Sequence, residues 1–203
     1  MLPLFIDVSR LSLVLVGNGE PTLRRLRRLE EAGALRIAVY AAAASEALAE
    51  AAGTRLVRRW PSLEEIAGGQ LVFIADAPDR DRAILAAASR ALGVLVHVED
   101  DMTLSDAQAP AVLRRGDLTL AVSTNGASPT LAAEVRDFLG GLFGPEWQGR
   151  LDALSRQRRA WRAAGMASDS IARLTGEWIR SRGWLALEPV PAAAPDTASA
   201  TRH

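Results

Sequence analysis

The sequence predicts an α/β fold: a doubly wound parallel sheet, followed by a small α+β segment and a C-terminal helical domain. Three observations carry this expectation. Short apolar runs alternate with helical patterns as far as Pro110, a glycine turn follows the first of these runs, and the alternation stops beyond Pro110.

The first run, Leu11 to Val16, ends at Gly17 and has the continuous apolarity of a strand buried on both faces. A helix is expected from about Thr22 to Ala32, with Leu23, Leu26 and Leu29 recurring every three residues and Gly33 as its stop. Leu35 to Tyr40 reads as the second strand, followed by an alanine-rich helix through Ala52. Leu56 to Arg59 is a third strand, and Ser62 is the expected cap of a short helix ending at Ala67. Leu71 to Ala75, a helix over Asp79 to Leu92, and Val94 to Val98 complete the sheet.

Beyond Pro110, the turn Arg115-Gly116-Asp117 introduces a strand over Leu118 to Ser123. Ser128-Pro129 opens a helix running to about Leu139, because serine caps the free N–H groups and proline fits the first helical position. Gly140-Gly141 and Gly144-Pro145 punctuate the chain, and Glu146 to Trp184 reads as two or three helices. The stretch from Pro189 to His203 lacks large apolar residues and has the composition of a disordered tail.

Composition narrows the function. The 24 basic residues balance the 24 acidic ones, so the electrostatic footprint of nonspecific nucleic-acid binding is missing. Without cysteine there are no disulfides, thiolate metal sites or cysteine nucleophile, and with only His97 and His203 a histidine zinc site is not expected. All other basic residues are arginine, which excludes Schiff-base chemistry on lysine. Asp7, Ser9 and Arg10 interrupt the first apolar stretch, so no membrane span or export signal is read there and a cytoplasmic location is expected.

Three stretches carry chemistry. Gly17-Asn18-Gly19-Glu20-Pro21-Thr22 joins a strand to a helix with glycine where the chain must bend and where a pyrophosphate would approach the backbone. It is either a Rossmann-like dinucleotide turn, with Thr22 in place of the usual small third residue, or a tight turn that binds nothing. The second strand ends Tyr40-Ala41-Ala42-Ala43 without the acid that usually holds a ribose. His97-Val98-Glu99-Asp100-Asp101 places carboxylates at the carboxyl end of the fifth strand, where they either move a proton or hold a metal, or simply form a solvated, capping loop. Ser123 to Pro129 is either an anion seat at a helix start or a well-capped helix. The arginine clusters, Arg24-Arg25-Arg27-Arg28 among them, read mostly as solvated helix faces, some of them suited to a polycarboxylate.

Further stretches add to these: Leu2-Pro3-Leu4-Phe5-Ile6, Arg24-Arg25, Glu31-Ala32-Gly33-Ala34, then Asp100-Asp101, Asp106, Pro110, Arg114 to Thr119 and Ser123 to Pro129. In register they resemble the siroheme synthase amino-terminal family, the bifunctional precorrin-2 dehydrogenase and sirohydrochlorin ferrochelatase, over about residues 1 to 185. The resemblance implies oxidation of precorrin-2 to sirohydrochlorin with NAD as hydride acceptor, then insertion of ferrous iron, a substrate rather than a bound cofactor, at the same site. It assigns catalysis to Asp100, as general base and transient metal contact. It assigns cofactor binding to Gly17, Asn18, Gly19, Glu20, Pro21, Ala42 and Ala43, and substrate binding to Ser123, Thr124, Asn125, Gly126 and Ser128, with Ser128 phosphorylated in some members.

The same resemblance implies an NAD-binding domain over 1–112, a homodimer formed through 113–145 and a helical domain over 146–186 that completes the substrate cleft, before a tail over 187–203. No methyltransferase domain follows, so a stand-alone form is expected. Some positions depart from the family's pattern: Asp76, His97, Glu99 and Ala107-Gln108. They leave open a chelatase without dehydrogenase activity, or a non-catalytic dinucleotide- or tetrapyrrole-binding module. NADP in place of NAD, given Arg55, Arg58 and Arg59, and cobalt in place of iron also stay open. No nucleic acid or membrane is expected as a partner.

Overall fold

The computed structural model describes residues 1–185; the tail expected over 187–203 lies outside the described residues. The chain divides into two units, Met1–Pro110 and a second from Ala111 onward. Among the described residues no helix is long and apolar enough to cross a membrane.

The first unit contains β1 (Ser12–Gly17), α1 (Glu20–Glu31), β2 (Arg36–Tyr40), α2 (Glu46–Ala52), β3 (Leu56–Val57), α3 (Leu63–Ala67), β4 (Leu71–Asp76), α4 (Asp79–Ala91) and β5 (Leu95–Val98). All five strands are parallel, in the order β3-β2-β1-β4-β5. This is the doubly wound, Rossmann-like sheet the alternation predicts, and its strand order reverses between β1 and β4. Side-chain alternation explains the continuous apolar runs. Leu13, Leu15, Ile37, Val39, Leu71 and Phe73 pack with Leu23, Leu26, Leu29 and Leu48 on one face. Val14, Val16, Tyr40, Val72, Ile74, Val96 and Val98 pack with Ile66, Leu85 and Ala86 on the other. Both faces are covered, so an all-parallel sheet exposes no apolar face to water.

Local chemistry sets the ends of the elements. Ser62 accepts from Glu65 N at 3.3 Å while the Glu65 carboxylate accepts from Ser62 N at 2.7 Å, a reciprocal cap. At the sheet's edge, Asp106 accepts from Val96 N at 3.3 Å and from Arg90 Nε at 2.7 Å, while Val96 O accepts from Asp106 N and Ala107 N. The segment after β5 thus satisfies backbone groups that an open edge would leave to solvent. The third strand covers only Leu56–Val57 of the expected Leu56 to Arg59, leaving Arg58 and Arg59 beyond it. The first helix begins at Glu20 rather than Thr22, because Pro21 is accommodated in the first turn, where its missing N–H costs nothing.

The second unit holds β6 (Ala111–Arg115), β7 (Leu118–Val122), α5 (Pro129–Leu142), α6 (Glu146–Ala163) and α7 (Ser168–Ser181). The Arg115-Gly116-Asp117 turn is preceded by a strand that the sequence does not predict: β6 pairs antiparallel with β7 in a hairpin, Leu113 opposite Leu120. Its short alternation, with Leu113 alone buried, is too weak a pattern to identify on its own. Gly140-Gly141 does not end α5, which continues to Leu142. Packing on β6 outweighs the roughly 1 kcal/mol that each helical glycine costs, and Arg115 reaches the helix end, donating from Nε to Phe143 O at 2.7 Å and from Nη2 to Gly140 O at 3.3 Å. The helical region resolves into two helices, joined through Arg158 Nη1 and Thr175 Oγ1 at 2.9 Å.

Candidate functional site

Ligands of an open parallel sheet collect at the carboxyl ends of strands where the order reverses, and in the first unit that edge carries three of the stretches singled out above. After β1, Asn18 acts as a staple. Its N–H donates to Asp76 O at 3.1 Å, its carbonyl accepts from Ser45 N at 2.8 Å, and its Oδ1 accepts from Ala43 N at 2.9 Å. One residue thereby fixes the ends of β1, β2 and β4 relative to one another, and brings exposed Ala42 and Ala43 beside the glycine turn.

Gly17 is required by space as well as by conformation. Its φ is 149°, and a Cβ there would lie 2.0 Å from Thr22 Oγ1 and 2.7 Å from Asp76 N. Thr22 is fully buried against the turn, and its hydroxyl has no partner among the described residues. Gly19 is the N-cap residue of α1 without a side-chain cap, so backbone donors of the first turn remain open to a ligand. Glu20 and Pro21 already belong to α1, and exposed Glu20 puts a negative charge in its first turn.

The three consecutive carboxylates after β5 divide into three roles. Glu99 turns inward: Arg25 Nη2 donates to its Oε2 at 2.5 Å and Arg25 Nε at 3.2 Å. His97 completes this cluster. Its Nδ1–H donates to Ala107 O at 3.0 Å, and its Nε2 lies 3.3 Å from Arg25 Nη2 and 3.5 Å from Glu99 Oε2. The Phe73 ring lies beneath, 5.5 Å from the Arg25 guanidinium and edge-on to His97. Burial pushes the Glu99 carboxyl up, but His97 and the Arg25 charge outweigh it and bring it down to about 2.

Asp101 caps its own loop, with Oδ1 accepting from Thr103 Oγ1 at 2.7 Å, Thr103 N at 2.9 Å and Leu104 N at 3.1 Å. Those hydrogen bonds hold it below the usual carboxylate range. Only Asp100 faces solvent without an assigned structural task, on a left-handed backbone with φ 57°. Such a conformation is strained for a residue with a Cβ and persists only where its neighbours hold it. Here Glu99 N donates to Ile74 O at 2.9 Å on one side and Asp101 N to Val98 O at 3.3 Å on the other. Among the described residues no three His, Asp or Glu side chains converge to hold a metal ion.

In the second unit, the hydroxyls of the Ser123–Ser128 loop are largely used by the loop itself. Ser128 Oγ accepts from Leu131 N at 3.1 Å as the cap of α5, and Thr124 Oγ1 donates to Ser128 O at 2.9 Å and accepts from Ser128 N at 3.1 Å. Ser123 Oγ accepts from Asn125 N at 3.1 Å, and Asn125 is the second left-handed non-glycine residue, φ 52°. Ser123, Asn125 and Gly126 remain exposed at the tip.

Sequence reasoning missed Arg25. Its cluster reads as a solvated helix face, yet Arg25 is only 6% exposed. The signal was present: Thr22, Arg25, Leu26 and Leu29 follow the i, i+3, i+4, i+7 spacing of one helix face.

Residues 4–111 match a family model described as "Putative NAD(P)-binding", and residues 115–141 match the central model of sirohaem biosynthesis proteins. The siroheme synthase of Methylococcus capsulatus is 37% identical over 66% of this chain and 29% of its own length. Siroheme synthase 2 of Aeromonas salmonicida is 32% identical over 91% of this chain and 42% of its own length. The chain thus spans less than half of these curated relatives. Among solved structures, SirC, a precorrin-2 dehydrogenase, superposes with a TM-score of 0.70 at 24% identity, covering 92% of this chain and 94% of its own, a likeness of fold. By the two matched models and the aligned relatives, the chain belongs to the siroheme synthase amino-terminal family.

Proposed function

We propose that this chain oxidises precorrin-2 to sirohydrochlorin with NAD, in the cytoplasm where pyridine nucleotides are available. The observation that carries the reading is the convergence on one sheet edge of the Gly17–Gly19 turn, the small residues Ala42 and Ala43, and the outward, left-handed Asp100.

The residues present suit a dinucleotide. Gly17 lets the chain turn tightly against Thr22 and Asp76, Gly19 leaves the start of α1 without a side-chain cap, and the exposed Ala42 and Ala43 leave room for a ribose. Gly17, Asn18, Gly19, Glu20 and Pro21 would hold the pyrophosphate end and Ala42 and Ala43 the adenosine side. The bound cofactor supplies a two-electron hydride acceptor. Oxidation removes one hydride and one proton from the tetrapyrrole, and in this reading Asp100 takes the proton. Ser123, Thr124, Asn125, Gly126 and Ser128 are assigned to substrate carboxylates, through the exposed tip of their loop and its backbone N–H groups.

The test is anaerobic incubation of the purified chain with precorrin-2 and NAD, following the absorption of sirohydrochlorin. Cofactor-dependent oxidation, reduced about a hundredfold or more by Asp100→Asn without loss of the folded circular-dichroism signal, is expected. A fully active variant would remove Asp100 from the chemistry, and no oxidation by the native chain would remove the dehydrogenase. Ferrous ion added afterwards tests chelation in the same sample.

The reading includes a homodimer. On α5, Leu131, Val135 and Phe138 are 54%, 36% and 56% exposed at helical spacing, a stripe suited to a second copy of the chain. Sedimentation should give a dimer that Leu131→Glu with Phe138→Glu converts to a monomer; a monomeric native chain would refute it.

A further inference from the structure

Asp76, the last residue of β4, is a departure whose position bears directly on the glycine turn. A Cβ on Gly19 would lie 2.7 Å from Asp76 Oδ2 and 3.9 Å from its Cγ, so this carboxylate rests against the Gly19 backbone at the start of α1. It has neither a hydrogen-bonded nor an ion-paired partner side chain among the described residues. The donors there are few. Asn18 N is taken by Asp76 O, Leu23 N by Gly19 O, Pro21 has none and Thr22 is buried, which leaves the N–H groups of Gly19 and Glu20. The positive end of a helix dipole is confined to its first turn and amounts to about half an elementary charge. Asp76 and Glu20 already set two carboxylates around it.

We infer that Asp76 is an intramolecular competitor for the pyrophosphate seat, so that a dinucleotide binds only by displacing the Asp76 carboxylate or against its charge. The inference rests on the reading of the turn as a cofactor site. Its origin is electrostatic: like charges a few ångströms apart near a protein surface repel by enough to change an affinity by about tenfold. Neutralising Asp76 therefore tightens binding. Because the Debye length shrinks to about 3 Å at 1 M salt, the gain also diminishes when salt is raised.

The experiment titrates the full chain with NADH, read by nucleotide fluorescence and independently by calorimetry, at 50 mM and 1 M sodium chloride. Asp76→Asn, nearly isosteric, should bind NADH about tenfold more tightly than the native chain at low salt, with a smaller gain at high salt. Asp76→Ser, a second neutral variant, should gain likewise, which guards against a folding defect in either one. Equal affinities in all three proteins would overturn the inference while leaving the cofactor site standing. Weaker binding by both variants would also overturn it, making Asp76 a ligand instead of a competitor. If none of the three binds NADH, the reading of the turn fails and the inference falls with it.

Discussion

Replacing Glu99 by Gln removes the charge that Arg25 is buried against while preserving the size of the side chain. The drop of the Glu99 carboxyl from the ordinary 4.5 to about 2 corresponds to about 3 kcal/mol of folding stability at neutral pH. With the Glu99 side chain 27% exposed, solvent screening brings the expected cost nearer to 2 kcal/mol. A second route gives a similar size: leaving the Arg25 guanidinium, 6% exposed, without its partner costs roughly 3 kcal/mol in comparable buried pairs. The pH dependence has a definite sign. The folded-state value lies below the unfolded one, so the contribution is fully present above about pH 4.5 and is lost as pH falls through about 2. Urea unfolding of the native chain and Glu99→Gln, followed by circular dichroism at constant ionic strength, should therefore show a gap of about 2 to 3 kcal/mol at pH 7 that narrows at pH 3. A gap below about 1 kcal/mol at pH 7, or one that does not change down to pH 3, would refute the assignment of this pair as a stabilising contact.

Gly17→Ala should cost about 3 kcal/mol or more, because its Cβ meets both the Thr22 hydroxyl and the Asp76 backbone at a φ of 149°. Adding Thr22→Ala should not restore it, since the Asp76 N and O atoms stay at 2.7 and 2.9 Å; thermal melts showing more than half recovered would contradict this. Ser128→Ala should lose about 1 kcal/mol by uncapping α5, whereas Ser128→Asp should stay near neutral because aspartate caps as well. Equal melting temperatures for Ser128→Ala and the native chain would refute the cap's contribution.

Much of the sheet was legible because its signals are local. The runs of β1 and β4 are apolar without interruption, Ser62 and Ser128 stand at the helix starts they cap, and the glycine turn follows the first strand directly. Where local pattern was thin, the reading fell short: β6 is five residues long with one buried side chain, and α5 runs through a glycine pair that tertiary contacts with Leu113 and Arg115 support. The candidate site was legible as a set of segments, but not as a set of contacts.

The sequence by itself determined the parallel α/β class, the edge on which Gly17–Gly19 and Asp100 fall, and the exclusion of thiolate and lysine chemistry, since these depend on residue type, apolar period and strand order. Only the tertiary structure decided how Glu99, Asp100 and Asp101 divide into an inward ion pair, an outward carboxylate and a loop cap. It likewise decided that Arg25 is buried and that Asp76 lies against Gly19. The physical reason is separation along the chain. Arg25 and Glu99 lie 74 residues apart, and which of two neighbouring carboxylates meets a distant guanidinium depends on the twist, register and packing of elements between them.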